Sequence, residues 1–267
     1  ALIRLQFCDY ASYKRKIAAG SEHALALKKD GAVTCWGRGS ENQCNTPPGL
    51  KDVTAVAAGM RHSLALKKDG VIVGWGYNEY GQCNAPAGLS EVVDIAAGRN
   101  FSAAVDKNGS VYVWGENTKG ECNVPAGLSN VVDVECGHAH VLALKADGTV
   151  VAWGSNANGK CDVPAGLDHV VSIAAGFNFS VALKADGTVV AWGAITNNTE
   201  QGGASALQYV KAIAAGKNTA LSINRYLKGA PLPVEEAAAE AGRLGVGEDE
   251  LIAMLRDAKK GLDEREK

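Results

Sequence analysis

The chain has 267 residues, 46% of them hydrophobic, and a formal net charge of −2 at pH 7. That is enough apolar material for one large domain with an appendage, and the balanced charge argues against nucleic acid as the main partner. No apolar run reaches the ~18 residues of a membrane-spanning helix, so no membrane partner is expected.

The chain opens on Ala1-Leu2-Ile3-Arg4-Leu5-Gln6-Phe7, where Ile3, Leu5 and Phe7 alternate with Arg4 and Gln6 as in a strand. It is not a charged-then-apolar leader, so no signal peptide is read there. From residue 18 onward the sequence repeats itself with a step of 39 residues. The tryptophans of a Trp-Gly pair fall at Trp36, Trp75, Trp114, Trp153 and Trp192. Small-residue runs end at Gly20, Gly59, Gly98, Gly137 and Gly176, with Gly216 one residue late. A period near forty marks a solenoid or a propeller.

Within each unit a first apolar run (Val92 to Gly98 in the third copy) is followed by a second (Phe101 to Val105), a tight turn and a third (Ser110 to Trp114). The turns read Lys29-Asp30-Gly31, Lys68-Asp69-Gly70, Lys107-Asn108-Gly109, Ala146-Asp147-Gly148 and Ala185-Asp186-Gly187. Asp-Gly and Asn-Gly between short apolar runs are hairpin signals. A fourth segment, Glu121 to Val124, ends at Pro125-Ala126-Gly127-Leu128, and four short strands per unit predict a propeller blade. The tryptophan would wedge between neighbouring sheets, and the small residues would let inner strands crowd a central channel.

Residues 210–216 and 219–223 supply two strands of a further blade, after a linker in which Gln201-Gly202-Gly203 breaks the frame. The N-terminal strand would complete that blade, giving six blades in an all-β domain over 1–228, with seven as the alternative. From 229 the composition changes to two helices, Val234 to Arg243 and Glu248 to Lys260. This helical tail, 229–267, would cap the propeller, dimerise or dock a partner.

The pattern G-x-x-H-S-L-A-L-K-x-D-G…W-G-x-N-x-x-G-Q, seen best from Gly59 to Gln82, resembles the regulator of chromosome condensation repeat. It is similar in particular to the bacterial branch that includes the propeller-type β-lactamase inhibitory protein. The resemblance covers roughly Ala18 to Asn224 and implies a β-propeller, more often of seven blades. Where the family usually reads Gly-Gln-Leu-Gly, this chain has Gln43-Cys44-Asn45 and Gln82-Cys83-Asn84.

Of seven cysteines, Cys44, Cys83, Cys122 and Cys161 hold one slot in consecutive repeats, too far apart on separate blades to pair with one another. With Cys8, Cys35 and Cys136 they are expected to be free thiols, which suits a reducing compartment and a cytoplasmic location, with secretion as the alternative. No spacing suits zinc, so neither a metal nor another cofactor is expected.

Three histidines, His23, His62 and His140, share a slot filled elsewhere by Phe101, Phe179 and Thr219. A metal or catalytic ring is the alternative reading; interchange with phenylalanine favours packing, with a ring nitrogen bonded to backbone. No nucleophile–base arrangement or phosphate loop stands out, and no catalytic residue is assigned. His138 and His169 are surface candidates without an evident partner.

Alternating strand direction places the loops after strands one and three on one face. That face varies between repeats, with Ser21, Met60, Arg99, His138, Phe177 and Lys217 following the inner glycines. The opposite face, with its hairpin turns and Pro-Ala-Gly-Leu linkers, barely varies. A fixed frame with one variable rim suits recognition. The expectation is a non-enzymatic module binding a protein partner of unknown identity through Arg61, Tyr77, Tyr80, Arg99 and Phe177. The resemblance supplies two alternatives, inhibition of a serine hydrolase such as β-lactamase and guanine-nucleotide exchange; a metal-dependent enzyme on the histidine ring is the rival class.

Overall fold

The computed structural model describes residues 15–28 and 30–194. The chain divides into two units, Ala1–Asn198 and Thr199–Lys267. The N-terminal strand, the sixth blade with its closure, the 228/229 boundary and the two helices all lie outside the described residues.

Each 39-residue repeat folds into one three-stranded antiparallel sheet in sequential order. The first blade holds β1 (Ile17–Ala19), β2 (His23–Leu27) and β3 (Val33–Gly37); the second β4 (Val53–Ala58), β5 (His62–Lys67) and β6 (Ile72–Gly76). The third holds β7 (Val92–Ala97), β8 (Phe101–Asp106) and β9 (Val111–Gly115). The fourth holds β10 (Val131–Cys136), β11 (His140–Lys145) and β12 (Val150–Gly154), and the fifth β13 (Val170–Ala175), β14 (Phe179–Lys184) and β15 (Val189–Gly193). A 3₁₀ turn over Ala157–Gly159 is the helical element among the described residues.

The hairpin turns form as their sequences dictate. Gly70 and Gly148 sit at φ +80° and +81°, where glycine meets no steric penalty. The carboxylates of Asp69 and Asp147 accept the backbone N–H two residues on, from Val71 and Thr149. Where the turn carries Asn108 instead, Asp106 takes over and accepts from the N–H groups of Asn108 and Ser110.

The expected fourth strand does not form. Cys83, Cys122 and Cys161 give their backbone N–H to the side-chain oxygens of Asn78, Asn117 and Asn156. The residues that follow close onto local carbonyls, as in Asn123 N to Gly120 O and Val124 N to Cys122 O. Donors spent inside the loop in this way are not available to a ladder.

Burial falls between blades, not within them. Leu25, Val56, Ala65 and Trp75 join the first two blades; Leu64, Leu66, Ile95 and Trp114 the next two. Phe101, Val105, Val134 and Trp153, then Leu142, Leu144, Ile173 and Trp192, continue the series. Trp75, Trp114, Trp153 and Trp192 are 7–8% exposed, whereas Trp36 on the first blade, which has no described blade before it, is 52% exposed.

The inner strands converge on a common axis. In a solenoid each repeat touches only its neighbours, but Arg15, just before β1, reaches the third and fourth blades. Its Nε donates to Asp94 Oδ1 at 2.9 Å, and its guanidinium pairs with Glu135 at 3.1 Å and Asp133 at 3.6 Å. Radial stacking is the geometry that brings these residues together.

Crowding at that axis explains the inner glycines. A methyl group on Gly137 would lie 2.2 Å from His140 Cε1 and 2.5 Å from Gly176 O on the next blade. Gly137→Ala should therefore cost about 3 kcal/mol in urea denaturation. Gly127→Ala, at φ +76° with open space around it, should cost only roughly 1–2 kcal/mol.

The cysteine expectation needs correcting at one place. Cys35 and Cys44 form a disulfide across the first repeat, with Cα atoms 5.2 Å apart. The comparison of equivalent slots on different blades overlooked pairing inside one repeat, where β3 runs beside the loop that returns along it. The equivalent of Cys35 in the second repeat is Gly74, whose Cα is so close that a methyl group would meet Cys83 Cα at 2.7 Å. Cys83, Cys122, Cys136 and Cys161 are free; burial pushes the Cys83, Cys122 and Cys161 thiols up to about 11, leaving them poor nucleophiles. Because trypsin cuts after Arg38, a non-reducing digest should hold the Cys35 and Cys44 peptides as one linked species; two separately alkylated peptides would contradict the bridge.

Candidate functional site

The two loops of the variable face are stitched together in every described blade. The N–H of Arg38, Tyr77, Glu116, Ser155 and Ala194 donates to the carbonyl of Glu22, Arg61, Asn100, Ala139 and Asn178, at 2.8–2.9 Å. These backbone bonds are independent of side-chain identity, so the residues above them are free to differ. In the first blade Arg38 forms a two-pronged ion pair with Glu22 at 2.9 and 3.0 Å. In the third, Asn100 donates to Glu116 at 2.9 Å.

The five expected anchors separate into two groups. Arg61, Tyr77 and Tyr80 belong to the second blade, where the two tyrosine rings lie 6.4 Å apart. The Tyr77 hydroxyl donates to Glu79, which pushes it up to about 12. Arg61 Nε is buried without a hydrogen-bond partner. Arg99 and Phe177 belong to the channel lip, where residues after the inner glycines follow one another around the axis. Met60 N donates to Gly98 O at 3.2 Å, Arg99 N to His138 O and His138 N to Gly176 O, both at 3.3 Å. Tyr80 is 45% and Phe177 62% exposed.

His138 has a partner that was not foreseen: its ring lies 3.9 Å from that of Phe177. Burial, then Arg99 and Lys160, lower its pKa against the opposing pull of Glu116. Lys160 is likewise missing from the sequence-based set. Its side chain is buried, its pKa is lowered chiefly by that burial, and its Nζ donates to Asn178 Oδ1 at 3.1 Å.

The signal for Lys160 was present in the repeat. Its slot holds Gln43, Gln82 and Glu121 in the earlier copies. Those side chains accept from the backbone N–H of Glu41, Tyr80 and Lys119 and hold the loop. An ammonium cannot accept a hydrogen bond, and in that repeat the loop closes as the 3₁₀ turn instead.

The histidine ring is committed to the frame. Nε2 of His23, His62 and His140 lies 3.0, 3.0 and 2.9 Å from the hydroxyls of Ser63, Ser102 and Ser180 on the next blade. Each serine in turn donates to the carbonyl of Gln43, Gln82 or Lys160. The hydroxyl hydrogen being spent, the histidine is the donor and carries a proton on Nε2, while burial disfavours a second proton on the ring. The expected bond to backbone is thus a bond to a serine side chain. Where the slot holds Phe101, the facing residue is Val141, so the pair changes together. Among the described residues no cluster of three His, Cys, Asp or Glu is placed to hold a metal ion.

Five segments, residues 15–43, 53–82, 92–121, 131–160 and 170–200, match the family model of the regulator of chromosome condensation (RCC1) repeat. The chain belongs to this family. Its RCC1 repeats account for all five described blades. No curated protein matches the chain. Among solved structures it is similar to Prp20p of Saccharomyces cerevisiae, studied for its binding to Gsp1p and histones, at 24% identity and a TM-score of 0.57, covering 66% of this chain and 56% of that one. The ectodomain of the Physcomitrella patens receptor kinase CR4 matches at 22% identity and 0.59, covering 69% and 53%. Human WBSCR16 matches at 21% and 0.55, covering 66% and 61%. The chain thus spans between half and two thirds of these three structures, and at such identities the likeness establishes the fold.

Burial lowers the His62 and His140 pKa values to about 3, against ~6.5 in an unfolded chain. Between those values the unfolded state binds the proton first, so stability is full above pH ~6.5 and is lost as pH falls toward 3. The loss approaches ~1.4 kcal/mol per pH unit for each histidine. The double substitution His62→Phe with Ser102→Val, copying Phe101 and Val141, should lower the acid sensitivity of the urea midpoint between pH 7 and pH 4.5. An unchanged difference would contradict this role for His62.

Proposed function

We propose that this chain is a non-enzymatic protein-interaction module that holds a partner protein against the variable face of its blades. The observation that carries the reading is the separation of frame from surface. Backbone bonds and buried side chains repeat from blade to blade, while the side chains above the stitched loops change and most of them, Asn100 excepted, are at least partly open to solvent. RCC1-repeat propellers support the general class: Prp20p has been studied bound to Kap60 and for its binding to Gsp1p and histones.

A partner across the channel mouth would meet Arg61, Tyr77 and Tyr80 on one side and Arg99 and Phe177 on the other. Aromatics and arginines supply most of the energy in interfaces burying about 800 Å² per side. The cytoplasmic reading requires Cys35 and Cys44 to be reduced in the cell, which alkylation at lysis would test.

Partner capture from a native extract with the full chain, followed by alanine substitution, tests the proposal. Alanine at Tyr77, Tyr80 or Phe177 should weaken capture about thirtyfold, equivalent to ~2 kcal/mol, with little change in stability. Lys68→Ala and Lys145→Ala, on the opposite face, should leave it unchanged. Loss of binding from those lysines with an indifferent rim would overturn the proposal.

A further inference from the structure

The lip between the third, fourth and fifth blades has more hydrogen-bond donors than acceptors. Arg99 is exposed, and its guanidinium has no ion pair or side-chain hydrogen bond among the described residues. Lys160 has no carboxylate within ion-pair distance among those residues; its ammonium donates to the neutral Asn178. Nearby acids are already engaged. Glu116 accepts from Asn100 and Thr118, and Glu121 from the backbone N–H of Lys119. Elsewhere on this face Glu22 is held by Arg38 and Glu79 by Tyr77, while Glu41 lies two blades away from Arg99.

We propose that this lip recognises a carboxylate on an acidic segment of the protein partner, with Arg99 and His138 as the contacting donors and the buried Lys160 as a fixed positive charge behind them. The inference rests on the protein-binding reading above and names the chemistry of the partner. A guanidinium offers paired N–H groups matched to a carboxylate. Phe177, stacked on His138 and open to solvent, forms an apolar shelf beside that position, suited to an aromatic or aliphatic neighbour of the acid in the partner.

The charged groups that act on His138 are Arg99, Lys160 and Glu116, and His138 in turn acts on His140. In the free protein the two cations and burial keep the ring neutral at pH 7.5. A carboxylate brought against it favours the protonated ring, so binding takes up a proton and strengthens as pH falls.

The repeat itself supplies substitutions the fold already tolerates. Arg99→Met copies Met60, His138→Ser copies Ser21, and Lys160→Gln copies Gln43 and Gln82. The probe is fluorescein-labelled hexaglutamate, followed by anisotropy with the full-length chain, and hexaglutamine is its neutral control. Hexaglutamate should bind and hexaglutamine should not, and binding should weaken with salt. Arg99→Met and Lys160→Gln should each weaken it at least fivefold, with Lys68→Ala unchanged. Affinity should rise severalfold from pH 7.5 to pH 5.5, and His138→Ser should flatten that rise.

No binding of hexaglutamate, or equal binding by Arg99→Met, would overturn the proposal. Tighter, Arg99-dependent binding of labelled oligothymidylate would overturn it in favour of a nucleic-acid phosphate. If hexaglutamate fails while a captured partner still depends on Tyr77, Tyr80 and Phe177, this inference falls and the protein-binding reading stands. If the captured partner ignores those three as well, the protein-binding reading falls with it.

Discussion

One backbone carbonyl per repeat ties each blade to the next. The carbonyls of Gln43, Gln82, Glu121 and Lys160 accept the indole N–H of Trp75, Trp114, Trp153 and Trp192, at 2.8–3.0 Å. A buried indole N–H without a partner would cost about 1–3 kcal/mol, so the tryptophan can fill the space between sheets only where that carbonyl is presented. At three of the four junctions the same oxygen also takes the serine hydroxyl, and the serine takes the histidine. The ring of that histidine lies against the inner glycine of its own blade. Loop, tryptophan, serine, histidine and glycine are one connected unit, and changing any of them disturbs a junction.

That arrangement leaves much of the variable face free of structural duty, apart from Asn78, Asn117 and Asn156, whose side chains hold the loops. The stitching bonds of its loops are backbone to backbone, and the loop carbonyl that matters points down into the junction. Evolution of the exposed side chains therefore carries little penalty in stability, which is the condition a recognition surface requires. Lys160 is a further exception, because its slot normally supports the loop above it. A buried cation there costs desolvation, and in place of the loop-holding bond of Gln43 and Gln82 it makes a single bond to Asn178.

Much of the fold was legible because the repeat multiplies each signal five times. The tryptophan register, the Asp-Gly turns and the inner glycines each follow from local chemistry, and the two faces follow from alternating strand direction. The failed fourth strand was not legible, since Glu121 to Val124 has strand-like residues, and its donors are diverted by the Asn117 side chain and by local carbonyls that only the folded loop brings near. The Cys35–Cys44 bridge was missed because the cysteines were compared between repeats and the bond runs within one. The histidine–serine bonds cross from blade to blade about forty residues apart, so no single repeat shows them, although the switch to Phe101 and Val141 was written in the sequence. Of the candidate site, variability between repeats proposes the aromatic and arginine anchors; His138 stacking and the exchange at Lys160 needed three dimensions, because burial decides what each residue does.

The separation of frame from surface is tested most directly by moving one rim. Residues 99–100, 116 and 118–119 of the third blade can be replaced by Ser-Glu, Arg and Ser-Glu, the residues at 21–22, 38 and 40–41 of the first, keeping Asn117, whose side chain holds the Cys122 N–H. This exchanges the Asn100–Glu116 contact for a copy of the Glu22–Arg38 ion pair and leaves every junction untouched. The melting temperature should stay within about 3 °C of the parent, roughly the effect of 1 kcal/mol in a domain of this size, while capture of the partner is lost. A fall of about 10 °C, or unchanged capture, would contradict the account.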